Sequence, residues 1–454
     1  MQSFATALCA VFTTVKDSGW KPSPGLVRTA SFVLLLLASL PALAIEPYQN
    51  YDRKLKTAER VAPLGDDLFG DEVSLYNGST TFTQVDMSLP GNSALPVELR
   101  RTFSISPQGL LPENIGAMAN WDVAVPHIHG EFGPAGWVAG DGTSLRCSKT
   151  TAPPGSGYFT TDELWSGNRL SLPGEGSKIM MVAPSAKLPA PTAPGTWPWI
   201  TQGNYRIGCL ASTANGYAGE GFLVLAPNGL KYFMNWMVQR DASSMTKPLP
   251  GTGQQTSASR KTYYLLATRV EDRFGNWVTY QYTGDKLTRI ESNDGRWINL
   301  SYNGALVSSA TSSAGTYSYQ YQSANYRSGG TSSSYLSGVT RPDGSTWTFA
   351  ISGWLYQKYN PTLSPVPDFS EPADQMDCPE PGEPHGTFGL VVKHPSGATG
   401  TFSFGYQRHY RTRVPKQCSA WATGPTTGYY QLKIPNFFDI YSLQSKQITG
   451  PGLP

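Results

Sequence analysis

Few residues in this chain have the type and spacing that chemistry needs. The five histidines stand at 127, 129, 385, 394 and 409. Only His127-Ile128-His129 forms a pair, because residues two apart share one face of a strand and could both reach a metal ion. Glu131 is the one acid close by in sequence, and no third histidine accompanies them. The pair therefore reads as ordinary exposed strand histidines. The acidic run Gly-Asp-Asp-Leu-Phe-Gly-Asp-Glu at 65–72 lacks the ligand spacing of a calcium loop and reads as a solvated turn before a strand. No G-x-S-x-G, phosphate-binding loop, H-E-x-x-H or strand-linked G-x-G-x-x-G occurs. The sequence gives no catalytic residue, metal ligand or cofactor site, and the expectation is a protein that is not an enzyme.

The remaining candidates are aromatic. Trp277, Tyr280, Tyr282, Trp297 and Tyr302 carry flat rings, and the tyrosines add polar tips. Such rings can stack on sugars. The same rings can also simply fill the inner face of a sheet.

What positions them is a repeat. Gly275 and Gly295 lie 20 residues apart, each followed by Trp at +2 and Tyr at +7. Tyr280 and Leu300 occupy +5. Gly315 follows after another 20 residues, ahead of Tyr317, Tyr319 and Tyr321. Each unit predicts a turn plus one or two short strands. Glycine supplies positive φ at the turn, and the neighbouring Asn or Asp tolerates it. Positions +5 and +7 fall on one strand face. Asp141-Gly142, Asn228-Gly229, Asp343-Gly344 and Ser396-Gly397 repeat the turn and its alternating sequel. An isolated hairpin is marginal, so successive copies must pair into one sheet.

Composition agrees. The 454 residues hold 47 Gly, 36 Pro and 24 Tyr, and only 15% are charged, against the usual ~25%. That is the composition of strands and turns. The net charge of +3 comes without a basic run, so nucleic acid is not an expected partner. The fold class is all-β: an array of antiparallel β-hairpins preceded by a β-rich module.

Residues 1–44 read as a secretory signal peptide. Lys16, Lys21 and Arg28 precede the apolar run at 32–40, and Ala42-Leu43-Ala44 fits the cleavage pattern. The run is too short to span a bilayer. The mature chain is expected to be secreted, periplasmic or at the cell surface, without a membrane span. Residues 51–61 form a short helix candidate. Cys147, Cys209, Cys378 and Cys418 survive cleavage, and an even number in a secreted chain favours disulfides. Three pairings are open; 147–209 with 378–418 keeps each bridge within one half. The Pro-rich stretch 184–198 and the Ser/Gly/Gln-rich stretch 242–259 read as surface loops or linkers. The expected domains are a β-rich region at 45–259 and a hairpin region at 260–454. A Pro- and acid-rich insert occupies 360–386.

Two stretches carry a resemblance. GDEVSLYNGSTTFTQVDMSLPGNSALPVELRRTF (70–103) resembles the opening module of large secreted bacterial RHS-repeat proteins, and DRFGNWVTYQYTGDKLTRI (272–290) resembles their YD repeat. ITGPGLP at 448–454 is similar to a connector in such chains. The resemblance implies a hollow shell of coiled β-sheet enclosing a C-terminal toxic polypeptide. It also implies a role in toxin delivery or intercellular competition, in which this chain would be an N-terminal portion without its effector. The expected partner is then a downstream RHS or toxin polypeptide. Carbohydrate is the partner on the alternative reading, a cell-surface binding protein that uses the aromatic ladder.

Overall fold

The computed structural model describes residues 68–73, 80–105, 117–183, 191, 195–248, 255–325, 332–353, 386–410, 412–413, 418–422, 428–432 and 437–451. The signal region, the helix candidate at 51–61 and most of the 360–386 insert lie outside these residues. The body formed by residues 67–454 is described below. No helix among the described residues is long and apolar enough to cross a membrane.

The chain is all-β. A first antiparallel sheet takes β1 (Asp71–Val73), β2 (Thr80–Leu89), β3 (Val97–Ile105) and β4 (Asp122–Val123) in that order. β3 alternates strictly: Val97, Leu99, Arg101, Phe103 and Ile105 are buried, and the residues between them are half-buried. One face is therefore committed to a core.

Eight strands then close a barrel. They are β5 (His127–Phe132), β6 (Arg169–Leu172), β7 (Gly176–Val182), β8 (Trp199–Thr201), β9 (Arg206–Leu210), β10 (Gly221–Leu225), β11 (Lys231–Pro248) and β12 (Gln255–Glu271). Each pairs antiparallel with the next, and β12 returns to β5 through Lys261↔Phe132 to Leu266↔His127. Phe132, Trp137, Phe222 and Tyr263 pack ring on ring in its core. Between β5 and β6 lies one short helix, α1 (Thr161–Leu164).

The described residues of the stretch 242–259, namely 242–248 and 255–259, are strand and not linker. β11 and β12 form one long hairpin with Pro248 opposite Gln255, so the expected boundary at Ser259 falls inside a strand. Ser and Thr suit a ribbon strand exposed to water. Met245 on one arm and Ala258 on the other pack against Phe159 and Leu164, and that apolar contact holds the ribbon in place.

β12 also starts the repeat sheet. Its second edge is divided: residues 261–266 pair with β5, and Arg269–Glu271 pair with β13 (Trp277–Thr283). From there antiparallel neighbours follow in order: β14 (Lys286–Ser292), β15 (Trp297–Asn303), β16 (Leu306–Ser312), β17 (Gly315–Ala324), β18 (Ser333–Thr340), β19 (Thr346–Gly353), β20 (Thr387–Lys393) and β21 (Thr399–Tyr410). β22 (Cys418–Ala422) and β23 (Gly428–Leu432) make a separate two-stranded sheet, and β24 (Phe437–Thr449) returns to β21. Gly353 faces Phe388 across the β19–β20 pair, so residues 354–386 connect two strands of one hairpin.

The repeat is local and mechanical. In the turn at Asp272, its N–H donates to the Asn276 carbonyl and Gly275 N–H donates back to the Asp272 carbonyl. The same two bonds recur at Ala139, Ala226, Ser292, Arg341 and His394, which includes the turns at Gly142 and Gly229 inside the barrel region. Gly275 and Gly295 have φ of 85° and 86°, a region that penalises a β-carbon. Gly315 differs. It opens β17 after a two-residue loop and does not occupy the turn position of Gly275 and Gly295.

The first hairpins of the array pair with one another only over their turn-proximal halves, as at Arg289–Glu291 with Trp297–Asn299 and Ser309–Ser312 with Gly315–Ser318. Beyond that the strands part. The hairpins β13–β14, β15–β16 and β17–β18 also carry a bulge just before a tyrosine, between Gln281 and Tyr282, Ser301 and Tyr302, and Gln320 and Tyr321. A bulge bends its strand and increases twist.

The first sheet packs on the repeat sheet through β2 and β3. Phe82 meets Phe402 and Phe404 edge-on, and Phe103 meets Phe388. Among these rings Arg101 is fully buried, bonded to Asp86 at 3.0 Å and placed over Trp121 and Phe349. Asp86 is the unpaired residue of a bulge in β2, which turns its carboxylate toward Arg101.

Candidate functional site

The five candidate aromatics do not form one platform. Trp277 and Trp297 project from one face of the repeat sheet. Tyr280, Tyr282 and Tyr302 project from the other, as the alternation of a strand requires. Each tryptophan lies under a guanidinium, Arg269 at 5.1 Å and Arg289 at 5.4 Å. Each arginine in turn pairs with the glutamate two residues on, Glu271 or Glu291. Neither indole face is fully bare.

Tyr282 and Tyr302 are anchored. Tyr282 donates 2.8 Å to the Ala267 carbonyl, Tyr302 2.7 Å to Leu287, and Tyr321 2.7 Å to Val307. The acceptors recur every 20 residues, and each lies where neighbouring hairpins part. A carbonyl without a ladder partner needs a donor, and the phenol of the following hairpin supplies it. At the fork of β12, Ala267 N–H donates to Pro126 and its carbonyl accepts from Tyr282. Burial raises the pKa of both phenols above that of free tyrosine. These rings are walls and ties.

Tyr280 is different. It lines a cavity of about 90 Å³ where the first sheet, the barrel and the first repeat meet. Leu95, Leu172, Leu230, Val270 and Val278 supply apolar walls. Glu98 from β3, Glu175 from the turn before β7, and Tyr232 from β11 supply the polar ones. Arg100 binds Glu98 through Oε1 at 2.9 and 3.0 Å. Lys178 binds Glu175 through Oε2 at 2.9 Å, and the Tyr205 phenol donates to the same oxygen. Burial works against the Glu175 carboxylate, but Tyr205 and Lys178 outweigh it and hold its pKa below the usual carboxylate value. Burial, with help from Glu175, pushes Tyr232 up to about 12. Tyr280 is also raised, first by burial and then by Tyr232 and Glu98. No sequence signal distinguishes these residues. Glu98 alternates like any strand glutamate, and Glu175 stands in an ordinary Pro-Gly-Glu-Gly turn.

The histidine pair is partly covered. His127 and His129 are half-buried with ring centres 5.0 Å apart, and both pack on Tyr264 across the β5–β12 seam. This corrects the expectation of exposed histidines: β12 closes the barrel beside them and brings the Tyr264 ring over both. Burial lowers the pKa of His127 to about 4 despite its hydrogen bond to the Val125 carbonyl, and that of His129 to about 3, with His127 and Arg169 adding to the effect. No group of three metal-ligating side chains occurs among the described residues.

Cys147 and Cys209 are joined in a disulfide. Cys378 and the side chain of Cys418 lie outside the described residues. No protein-family model matches this chain, and no curated protein matches it.

Proposed function

We propose that this chain is a secreted, non-enzymatic scaffold of the RHS/YD-repeat kind, a wall segment of a shell that holds or delivers another polypeptide. The observation that carries this reading is the repeated unit itself: the two-bond glycine turn, the bulge, and the +7 tyrosine tied to the preceding hairpin. Such a unit adds copies edge to edge without a new core for each, which suits an enclosing wall. The first sheet, fastened to one face of that wall, fits the opening module of the resemblance. Tyr282, Tyr302 and Tyr321 are spent on ties, and Asp272 and Asn276 on a turn, which also favours a scaffold over a catalyst.

The test is co-expression with the polypeptide encoded directly downstream, followed by limited proteolysis. Enclosure predicts that this polypeptide survives digestion in the complex and is cut when alone. Equal digestion in both would remove the shell reading.

A second reading rests on Trp277 and Trp297. They repeat on the outer face at equivalent positions of β13 and β15, two strand spacings or roughly 10 Å apart. That spacing suits contact with neighbouring sugars of a chain. A glycan array with the wild type and Trp277→Ala decides it: specific binding lost in the variant supports a carbohydrate-binding surface.

A further inference from the structure

We infer that the cavity beside Tyr280 is a binding site for a small organic cation, an alkylammonium head group. The inference is independent of the scaffold reading. Every charged residue lining the cavity is acidic: Glu98 and Glu175. Each spends one oxygen on a basic neighbour that does not line the cavity, Arg100 or Lys178. Glu98 Oε2 and Glu175 Oε1 accept no hydrogen bond from the described residues. The phenols of Tyr232 and Tyr280 donate none either, although Tyr232 is only 9% exposed. Buried polar groups are ordinarily satisfied, so the unpartnered Tyr232, together with the half-buried Glu98 and the Glu175 carboxylate exposed at the open side, marks a place for a ligand.

Size and wall chemistry choose the ligand class. A void of roughly 150 Å³ accommodates benzene. At about 90 Å³ this cavity cannot enclose a sugar ring, but it can take a compact head group whose tail leaves by the open side. Aliphatic walls disfavour a strongly hydrated ion and favour one that carries methyl or methylene groups. Two tyrosine rings and two carboxylates are the groups that attract such a cation, through ring quadrupoles and charge.

The full chain titrated with tetramethylammonium chloride in a calorimeter tests this, with tert-butanol as the neutral counterpart and glucose as the sugar. We expect saturable one-site binding of the ammonium ion, no binding of the alcohol, and affinity roughly tenfold weaker in Glu98→Gln. Thermal melting checks that the variant is folded. Should it not fold, methyl resonances of the unmodified protein locate the site, with shifts on titration confined to Leu172, Val270 and Val278. Four outcomes overturn the inference: no saturable binding, equal affinity for the alcohol, glucose bound in place of the ammonium ion, or methyl shifts elsewhere.

Discussion

The Tyr319 phenol donates a 2.9 Å hydrogen bond to Asp86, 233 residues earlier in the chain. Tyr319 belongs to the inner face of the repeat sheet and Asp86 to a bulge of the first sheet. Asp86 also holds the buried guanidinium of Arg101. Arg101 Nη1 and Nη2 have no hydrogen-bond partner and face Trp121 and Phe349. Cation–π contact therefore replaces the missing acceptors. One carboxylate thus joins the two sheets.

Removal of that carboxylate strands a buried cation. Asp86→Ala is expected to destabilise the protein by about 3–5 kcal/mol. Tyr319→Phe, which removes one bond to a charged acceptor, is expected to cost about 1.5–3 kcal/mol. Urea denaturation of the three proteins measures both. A smaller loss for Asp86→Ala than for Tyr319→Phe would show that the carboxylate is not the shared tie.

The +7 tyrosines should behave as equivalent ties. Tyr282→Phe and Tyr302→Phe each remove one donor from a repeat carbonyl, at a cost of about 1 kcal/mol. Their carbonyl partners, Ala267 and Leu287, belong to different hairpins. The double variant should therefore lose close to the sum. Denaturant midpoints indistinguishable from wild type would mean that water replaces the phenol freely.

Glycine substitutions separate strain from crowding. A β-carbon at Gly295 meets nothing within 4 Å, so Gly295→Ala should cost only the strain of positive φ, about 1–2 kcal/mol, and Gly295→Asn less. At Gly70 a β-carbon would lie 1.9 Å from the Thr83 carbonyl oxygen, and Gly70→Ala should cost more than Gly295→Ala. Thermal melts rank the three; a reversed order contradicts the turn geometry.

Acid should weaken the barrel seam before it affects the carboxylates. The folded pKa values of His127 and His129, about 4 and about 3, lie below the unfolded value near 6.5. The unfolded chain therefore takes up these protons first. The stability that neutral histidines contribute is complete above about pH 6.5 and declines as pH falls from there toward the folded values. Urea midpoints of wild type and His129→Gln between pH 7.5 and pH 5 should diverge, with the variant the flatter. Parallel curves would show that His129 takes up its proton in the folded state without penalty.

Reduction of the disulfide should cost more than loss of any tyrosine tie. Cys147 and Cys209 are 62 residues apart, and loop-closure entropy for that length corresponds to about 4 kcal/mol. Melting with and without reductant measures it; an unchanged transition would place the bridge outside the cooperative unit.

Much of the hairpin array was legible because its determinants are local. Asp272, Gly275 and Asn276 make their own turn whatever lies around them. Alternation assigns Val278, Tyr280 and Tyr282 to one face, and the same turn chemistry marks Gly142 and Gly229 far from the repeats. Alternation also puts Trp277, five residues before Tyr282, on the opposite face; what it does not give is the arginine over that ring, because Arg269 comes from the neighbouring strand.

The tertiary structure decided what depends on distant strands. Closure of the barrel through β5 and β12 joins residues more than a hundred positions apart, and no local pattern encodes that choice. The same closure covers His127 and His129 with Tyr264; pairing of β11 with β12 makes residues 242–248 and 255–259 a ribbon, and the meeting of first sheet, barrel and first repeat gathers Glu98, Glu175, Tyr232 and Tyr280 around one void. Turns and faces are set by φ and by period and can be read residue by residue. Burial, pairing between sheets and cavities arise from which surfaces meet, and that is fixed only when the whole chain has folded.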